Sequence, residues 1–248
     1  MKLLKIEAAG VTDVGNVKAV NEDGFVYKIV NAETSYAGFF AVADGVGGAV
    51  KGEVASSTAI AYINRWWEED FKTYFHDETL MIQSLISTFQ QINEQLLHLS
   101  ANSNYKIATT LSVLVVHKNK FYIVHTGDSR IYKYSGLINE KLIQLTQDQS
   151  CYINKNIEGK LIKKSVLTEC LGYKSVCNHF CNSGEIKKND IFLLCSDGIY
   201  KTIPDIHIGK RLKANRANLN VICQSLIDRA KQNGETDNIT AIALKIIT

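Results

Sequence analysis

The order of its predicted elements places this chain in the α+β class. Strands come first, two long amphipathic helices follow, then more strands, and a helix and a closing strand end the pattern. Because strands and helices segregate instead of alternating, the sequence favours a layered α+β sandwich over a doubly wound parallel sheet. A single proline, Pro204, and the absence of any Gly/Ser-rich stretch leave no marked linker. We therefore expect residues 1–248 to form one domain.

The N-terminal half begins with two strands and two helices. The runs Gly24–Val30 and Tyr36–Ala43 are rich in aromatic and β-branched residues, which predicts strands. A first helix is expected from Gly52 to Glu69. A second is expected from Glu78 to Leu99, because apolar residues recur there at spacings of three and four. These are Met81, Leu85, Phe89, Ile92 and Leu96.

The C-terminal half is predicted to be mostly strand. Short turns join three segments into an antiparallel meander. These segments are Thr110–His117, Lys120–Thr126 and Arg130–Tyr134. A buried strand at Ile191–Cys195, a helix at Leu219–Gln232 and a last strand at Thr240–Ile247 follow. The segment Gln149–Lys188 has the weakest periodicity, and we expect loop and short helix there.

Composition and charge exclude several classes of protein. With 46% hydrophobic and 21% charged residues, the chain is globular and not disordered. The net charge of +3 is spread without a basic run, which argues against nucleic acid as a partner. No apolar stretch is long enough for a signal segment or a membrane span. Six irregularly spaced cysteines favour free thiols. We expect a cytoplasmic protein, and we expect it to be a monomer.

Acidic residues stand at the predicted strand ends and turns. They are Glu22, Asp23, Asp44, Asp128, Asp197 and Asp237. A single Asp-Gly pair is more often only a turn, but this set converges on strand ends, where clustered carboxylates repel each other unless a divalent cation neutralises them. Oxygen ligands select Mg²⁺ or Mn²⁺ over Zn²⁺. The sequence therefore predicts a metal centre.

Seven segments, taken in order, resemble one known family. They are TDVGNVKAVNEDGF (12–25), VADGVGGAVKGEVAS (42–56), ATTLSVLVV (108–116), VHTGDSRIYKY (124–134), LTQDQS (145–150), LLCSDGIY (193–200) and DNITAIAL (237–244). Together they resemble the protein phosphatase 2C family of metal-dependent serine/threonine phosphatases, in its compact bacterial form. The resemblance implies a four-layer α/β/β/α sandwich, a central antiparallel β-sandwich flanked by helix pairs, with a dinuclear Mn²⁺ or Mg²⁺ centre at one end.

The resemblance also implies a role for each acidic residue. One ion would be held by Asp44, Asp197 and Asp237, and the other by Glu22, Asp44 and the carbonyl of Gly45. Asp128 would join Asp197 in holding a third, weaker ion. Asp23 and Asn238 would orient the attacking water.

Three positions depart from the family pattern. Lys18 stands where the family has a phosphate-gripping arginine, and a lysine gives a point charge without the bidentate fork. Val46 stands where many members have a histidine, and Gln149 replaces a histidine of the family motif. The segment Cys151–Val166 matches the family's flap region poorly, which affects substrate specificity.

The function expected from these residues is hydrolysis of phosphoserine and phosphothreonine in proteins, opposing a cognate serine/threonine kinase. Lys18 and Gln149 leave open a pseudophosphatase that binds phosphoproteins or a partner without turnover, and hydrolysis of small phosphate esters is a further alternative. A Cys-x5-Arg spacing runs from Cys223 to Arg229. It falls inside a predicted helix, which cannot wrap a phosphate with backbone N–H groups.

Overall fold

The fold comes from a computed structural model that describes residues 4–31, 36–46, 51–135, 141–157 and 160–247. The strands in these ranges are β1 (Lys5–Asp13), β2 (Asp23–Asn31), β3 (Tyr36–Asp44), β4 (Leu111–His117), β5 (Lys120–Thr126), β6 (Arg130–Ser135), β7 (Lys141–Gln144), β8 (Ser150–Ile157), β9 (Lys160–Leu167), β10 (Phe180–Glu185), β11 (Ile191–Cys195) and β12 (Ile239–Ile247). The helices are α1 (Gly52–Glu68), α2 (Asp70–Thr73), α3 (Glu78–Ala101), α4 (Asp197–Tyr200), α5 (Asp205–Ala214) and α6 (Leu219–Gln232). None of the helices in the described ranges has the length and apolar character to cross a membrane.

Two five-stranded antiparallel sheets form the centre of the molecule. The first sheet has the order β1-β12-β11-β6-β7, and the second has the order β10-β5-β4-β3-β2. The outer strand β1 pairs along its whole length with β12, so that Lys5 lies opposite Ile247. The two ends of the described chain therefore meet in one sheet.

The alternation of side chains along each strand produces four layers. In β3, Phe39 packs against α1–α3 while its neighbour Phe40 packs between the sheets. In β11, Leu193 packs against Leu226 of α6, and Leu194 packs between the sheets. Both sheets are thus covered on both faces, which confirms the predicted helix/sheet/sheet/helix sandwich.

The helix layer over the second sheet is fixed by one cap and one side-chain hydrogen bond. Asp77 caps α3, because its carboxylate accepts from the N–H groups of Thr79 and Leu80 at 3.0 Å each. Trp66 of α1 is fully buried and its indole N–H donates to Ser84 Oγ of α3 at 2.9 Å. The two long helices predicted from periodicity are therefore confirmed and lie side by side.

The prediction of loop and short helix for Gln149–Lys188 was wrong. Strands β8 and β9 form a separate two-stranded hairpin, β10 is an edge strand beside β5, and the described part of the segment contains no helix. The hairpin was missed because none of its described side chains is buried and most, including Cys151 and Tyr152, are exposed, so no buried face imposes a period of two. The strands β1 and β7 and the helices α2, α4 and α5 were also not predicted.

His125 is a fully buried titratable group in the second sheet. Its Nε2 lies 3.0 Å from the carbonyl oxygen of Gly127, and its Nδ1 lies 2.8 Å from Ser112 Oγ. A carbonyl only accepts, so Nε2 carries the proton and the Ser112 hydroxyl donates to Nδ1. Burial lowers the pKa of His125 to about 4, although the hydrogen bond to Gly127 acts in the opposite direction.

The lowered pKa of His125 predicts a loss of stability in mild acid. The unfolded chain takes up this proton below pH ~6.5, whereas the folded chain resists it down to pH ~4. The free energy of unfolding should therefore fall by about 3 kcal/mol across this window on account of His125. Urea unfolding of wild type and His125→Gln at several pH values isolates the effect. His207→Gln, at an exposed position on α5, is the control, and parallel curves for wild type and His125→Gln would contradict the assignment.

Candidate metal centre

The acidic residues predicted from the sequence lie at one end of the sandwich. Asp23 begins β2 and Asp44 ends β3, and the two residues lie directly opposite each other in the strand register. Asp197 begins α4 and is separated from the end of β11 by Ser196, and Asp237 is separated from the start of β12 by Asn238. Because neighbouring antiparallel strands start and end at the same edge, both sheets deliver their carboxylates to one cleft.

Asp23 joins the two sheets at this end. Its Oδ2 accepts from the hydroxyls of Ser196 at 2.8 Å and Thr240 at 2.6 Å, and both of these residues belong to the first sheet or its edge. Burial and, to a smaller extent, the charges of Asp197 and Asp237 raise the pKa of Asp23, the two hydrogen bonds lower it, and the net result is a pKa of about 7. A carboxylate so placed holds the sheets together and faces the other acidic residues.

Asp44 is held by its backbone at the end of β3. Its N–H donates to Thr110 Oγ1 at 3.0 Å, and its carbonyl accepts from Thr110 N at 2.9 Å and from Thr109 Oγ1 at 2.9 Å. Burial raises the pKa of Asp44 well above its usual range, and the negative charges of Asp197 and Asp23 add to this effect. The backbone of Asp44 is therefore held by Thr109 and Thr110, and too little positive charge lies nearby to offset the charge of its carboxylate.

Gly45 permits a close backbone approach beside Asp44. A Cβ at this position would lie 2.4 Å from the carbonyl oxygen of Gly52, so a side chain has no room. Its N–H donates to the carbonyl of Glu22 at 3.0 Å. The Glu22 carboxylate in turn lies against Gly52, where a Cβ would be 2.6 Å from Oε1. Glu22, Gly45 and the start of α1 therefore pack as one unit.

Lys18 lies between two of the predicted ligands. Its ammonium nitrogen is 3.1 Å from Glu22 Oε2 and 3.0 Å from Asp237 Oδ1. These hydrogen bonds raise the pKa of Lys18, although burial, the largest single influence, lowers it. The structure thus brings Lys18 into the cleft instead of leaving it as a solvated surface lysine.

Asn238 organises the loop that carries Lys18 and Glu22. Its amide nitrogen donates to the carbonyls of Val14 at 2.9 Å and Val20 at 3.0 Å, and its Oδ1 accepts from the N–H of Glu22 at 2.8 Å. All three bonds are to backbone groups more than 200 residues away in sequence. Its expected role in orienting water stays a prediction.

Asp128 lies in the tight turn between β5 and β6, and Gln149 holds this turn. The N–H of Gly127 donates to Gln149 Oε1 at 2.8 Å, and the N–H of Gln149 donates to the Gly127 carbonyl at 2.8 Å. Asp128 is 5% exposed, and burial together with the charge of Asp197 raises its pKa to about 6. Gln149 is therefore a positioning residue for the turn, a role that its sequence position alone did not indicate.

Lys201 is a charged neighbour that the sequence reasoning missed. It follows the short helix α4, and its ammonium group pairs with Oδ2 of Asp197, four residues earlier. Asp197 Oδ1 is buried and has no hydrogen-bond partner within the described residues. Burial raises the pKa of Asp197, while Lys201 lowers it. An Asp-to-Lys spacing of four at a helix start was the available signal.

Several properties of the cleft determine whether it can hold a divalent cation. No three His, Cys, Asp or Glu side chains of the described residues lie close enough to form a ligand cluster. Lys18 and Lys201 pair with carboxylate oxygens of Glu22, Asp237 and Asp197. The raised pKa values of Asp44 and Asp128 and the unpartnered Asp197 Oδ1 nevertheless show a deficit of positive charge. The donors are all oxygen atoms, so the residues fit Mg²⁺ or Mn²⁺.

Val46 and the six cysteines are the remaining residues about which the sequence made predictions. Val46 is half-buried and its N–H donates to the carbonyl of Ala108 at 3.0 Å. All six cysteines are free thiols. Cys223 is fully buried within α6, which is incompatible with a nucleophile in a phosphate-binding loop.

Known proteins resemble this chain over nearly its whole length. A family model described as Protein phosphatase 2C matches residues 16–240. A serine/threonine phosphatase stp of Listeria welshimeri is 30% identical over 247 residues, which covers 94% of this chain and 93% of the relative. The protein phosphatase PhpP of Streptococcus pneumoniae is 29% identical over 248 residues, which covers 95% of each chain.

Solved structures share the fold. The S. agalactiae serine/threonine phosphatase has a TM-score of 0.82 at 21% identity, with coverage of 98% of this chain and 100% of that one. PppA of Pseudomonas aeruginosa has a TM-score of 0.79 at 24% identity, with 98% coverage of each chain. The catalytic domain of PstP, described in complex with 2 manganese ions, has a TM-score of 0.75 at 24% identity and covers 99% of this chain and 100% of that one.

The four-layer fold, the acidic cleft and these likenesses define the class of protein as a bacterial-type serine/threonine protein phosphatase. The chain belongs to the protein phosphatase 2C family, since the family model matches most of its length.

Charge repulsion in the cleft predicts the behaviour of an Asp44→Asn variant. Because the pKa of Asp44 is raised on folding, its stability cost is absent at low pH and grows as pH rises above ~4. Without metal, Asp44→Asn should melt higher than wild type, by about 2 to 4 °C per kcal/mol relieved, and the difference should grow from pH 5 to pH 8. Added Mn²⁺ should raise the melting temperature of wild type more than that of the variant.

Thermal unfolding with and without Mn²⁺ measures both effects. Asp228→Asn, which removes an exposed carboxylate from α6, is the matched control and should behave as wild type. Equal Mn²⁺ shifts in wild type and Asp44→Asn would remove Asp44 from the ligand set.

Proposed function

We propose that this phosphatase hydrolyses phosphoserine and phosphothreonine in proteins with a water activated at a dinuclear Mn²⁺ or Mg²⁺ centre. The single observation that carries the proposal is the convergence of carboxylates from both sheets on one cleft with too little positive charge nearby. Such a cluster is costly to fold unless cations offset it. The PstP structure described with 2 manganese ions has the same fold, which supports the choice of metal.

We propose the two ligand sets that the family resemblance implies. Asp44, Asp197 and Asp237 would hold one ion, and Glu22, Asp44 and the carbonyl of Gly45 would hold the other. The packing of Glu22 and Gly45 around the start of α1 supports the second set. The unpartnered Oδ1 of Asp197 supports the first, because a buried oxygen without a hydrogen bond is available to a cation.

Two divalent cations, when bound, would lower the pKa of a shared water and offset the charge that develops on the phosphoryl oxygens. The chain itself supplies the positions. Asp23 links the two sheets through its hydrogen bonds to Ser196 and Thr240, and its negative charge acts on the other carboxylates of the cleft. Asn238 fixes the loop of Glu22, so the second ligand set depends on its three backbone hydrogen bonds. Both residues therefore act on the attacking water through the groups that they position.

Lys18 is the residue proposed to hold the substrate phosphate. Its side chain is 31% exposed, so the ammonium group is reachable from solvent while it rests on Glu22 and Asp237. An incoming phosphate brings more negative charge than either carboxylate and can accept the same donor. The lysine binds it as a point charge, without the planar fork of an arginine.

Oligomeric state, substrate proteins and cellular location are also part of the proposed function. We propose a monomeric catalytic domain of residues 1–248 that acts on phosphoproteins and opposes a cognate serine/threonine kinase, without nucleic-acid partners. Free thiols, including the buried Cys195, suit a reducing compartment and support a cytoplasmic location. A pseudophosphatase that only binds phosphoproteins is the alternative outcome of the experiment below.

Metal dependence tests the proposed chemistry. Purified protein should release phosphate from a phosphothreonine peptide with Mn²⁺ or Mg²⁺. It should lose this activity with EDTA, because the proposed attacking water depends on the cations for its lowered pKa. Malachite-green detection of phosphate measures the rate, and a panel of small phosphate esters tests the breadth of substrates. Full activity after chelation and dialysis would eliminate the dinuclear mechanism, whereas phosphopeptide binding without any turnover would indicate the pseudophosphatase.

Removal of the Lys18 ammonium group should weaken substrate binding. Loss of one charge-assisted hydrogen bond costs about 1.5 to 3 kcal/mol, so Lys18→Ala should lower kcat/KM by roughly 10- to 150-fold. The change should fall mainly on KM if the contact is equally strong in the ground state and the transition state. Lys18→Arg should equal or exceed wild type, because it restores the fork.

Steady-state kinetics on one phosphopeptide at saturating Mn²⁺ measure this effect. Lys210→Ala, at an exposed position on α5, controls for the loss of one positive charge from the protein. An Ala variant within about twofold of wild type, well outside the range above, would show that Lys18 does not hold the phosphate.

A further inference from the structure

Lys201 is the second ammonium group in the cleft, and it occupies one oxygen of a proposed metal ligand. Its side chain is 41% exposed, whereas that of Asp197 is 12% exposed. The ammonium pairs with Asp197 Oδ2, and Asp197 Oδ1 has no hydrogen-bond partner within the described residues. One carboxylate oxygen of Asp197 is therefore paired with Lys201, and the other is available to a cation.

The lysine also interacts with the carboxylates around Asp197. The negative charges of Asp128 and Asp44 both stabilise the Lys201 ammonium group, and Lys201 in turn stabilises the ionised form of Asp128. Asp128 and Asp197 are the pair from which a third, weaker ion was expected. In this chain the same pair already faces a fixed positive charge.

The backbone around α4 holds this arrangement. The N–H of Lys201 donates to the carbonyl of Asp197 at 3.0 Å, which closes one helical turn and places both side chains on the same face. Gly198 packs so tightly that a Cβ there would lie 2.2 Å from the carbonyl oxygen of Asn238. The helix is therefore pressed against the turn that carries Asp237.

A second contact fixes the other side of α4. The Arg130 guanidinium lies 3.7 Å from the centre of the Tyr200 ring and makes a forked ion pair with Asp148, with its closest contact at 2.6 Å. Tyr200 directly precedes Lys201, so this contact holds the backbone from which the lysine side chain reaches Asp197.

We propose that Lys201 is a built-in cation that takes the place of a third divalent ion beside Asp128 and Asp197 and limits this phosphatase to two ions. The inference rests on the proposed dinuclear centre. A third ion would need Asp197 Oδ2, which the lysine holds, and it would be repelled by an ammonium group at contact distance. Asp128 then serves as a counter-ion to Lys201 instead of a metal ligand.

Counting bound Mn²⁺ tests the proposal without relying on activity. Metal-free protein is titrated with Mn²⁺, with free ion followed by electron paramagnetic resonance and heat by calorimetry. Wild type should bind two ions, and Asp128→Asn should not change this number. Lys201→Met, which keeps an apolar stem and removes the charge, should bind a third ion, and adding Asp128→Asn to that variant should abolish it.

Matched variants distinguish the effect of a positive charge at position 201 from the effect of losing one positive charge elsewhere on the protein surface. Lys201→Arg keeps the charge and should bind two ions, and Lys210→Met, on the exposed face of α5, should also bind two. Lys201→Gln is the second neutral variant if circular dichroism shows that Lys201→Met is not folded. The Asp128→Asn comparison in the wild-type background can still overturn the proposal if neither neutral variant folds, because it detects a third ion that depends on Asp128.

The outcomes are distinct for the two proposals. A third ion in wild type that Asp128→Asn removes, or a Lys201→Met protein that still binds only two, would overturn the role of Lys201 while leaving the dinuclear mechanism intact. Wild-type protein that binds no Mn²⁺ and shows no phosphopeptide hydrolysis would overturn the proposed function and this inference together. Two ions in wild type and three in Lys201→Met, the third dependent on Asp128, would support it.

Discussion

Electrostatic repulsion among carboxylates at one end of the sandwich is the constraint on which the rest of the structure depends. The charges of Asp44, Asp128 and Asp197 all act on one another, and burial makes each of them more costly. The cleft is stable only because the protein supplies partial compensation. Ammonium groups and hydroxyl donors supply this compensation. A framework of hydrogen bonds prevents the carboxylates from moving apart.

The two lysines compensate opposite sides of the cleft. Lys18 rests on Glu22 and Asp237, and Lys201 rests on Asp197. Neither side satisfies every oxygen, and the remaining deficit of positive charge is what a phosphatase of this family can use to retain cations. The same physical feature therefore explains both the cost of the cleft and its proposed function. It also underlies the different roles proposed for the two lysines, one toward the substrate and one toward the number of bound ions.

The framework consists of hydrogen bonds between groups far apart in the chain. Asp23 binds Ser196 and Thr240 across the two sheets, and Asn238 fixes the loop of Glu22. Gln149 performs the corresponding task for the Asp128 turn. The acidic residues therefore lie at strand ends or in loops and turns that these hydrogen bonds fix, so the carboxylates cannot move apart and the cluster retains its charge density.

The sequence by itself determined the class of fold, most strands and helices of the core and the acidic residues of the cleft. These follow from local patterns: the continuous apolar run of β3, the period near 3.6 in α3, and Asp-Gly or Asp-Asn pairs at strand ends. The exposed hairpin of β8 and β9 lacked such a pattern and was predicted wrongly. Only the tertiary structure decided the pairing of β1 with β12, the bond from Asp23 to Thr240 and the positions of Lys18 and Lys201 on their carboxylates. Which charges meet depends on contacts between segments that are distant in sequence or on a helix too short to show a period, and local patterns do not contain that information.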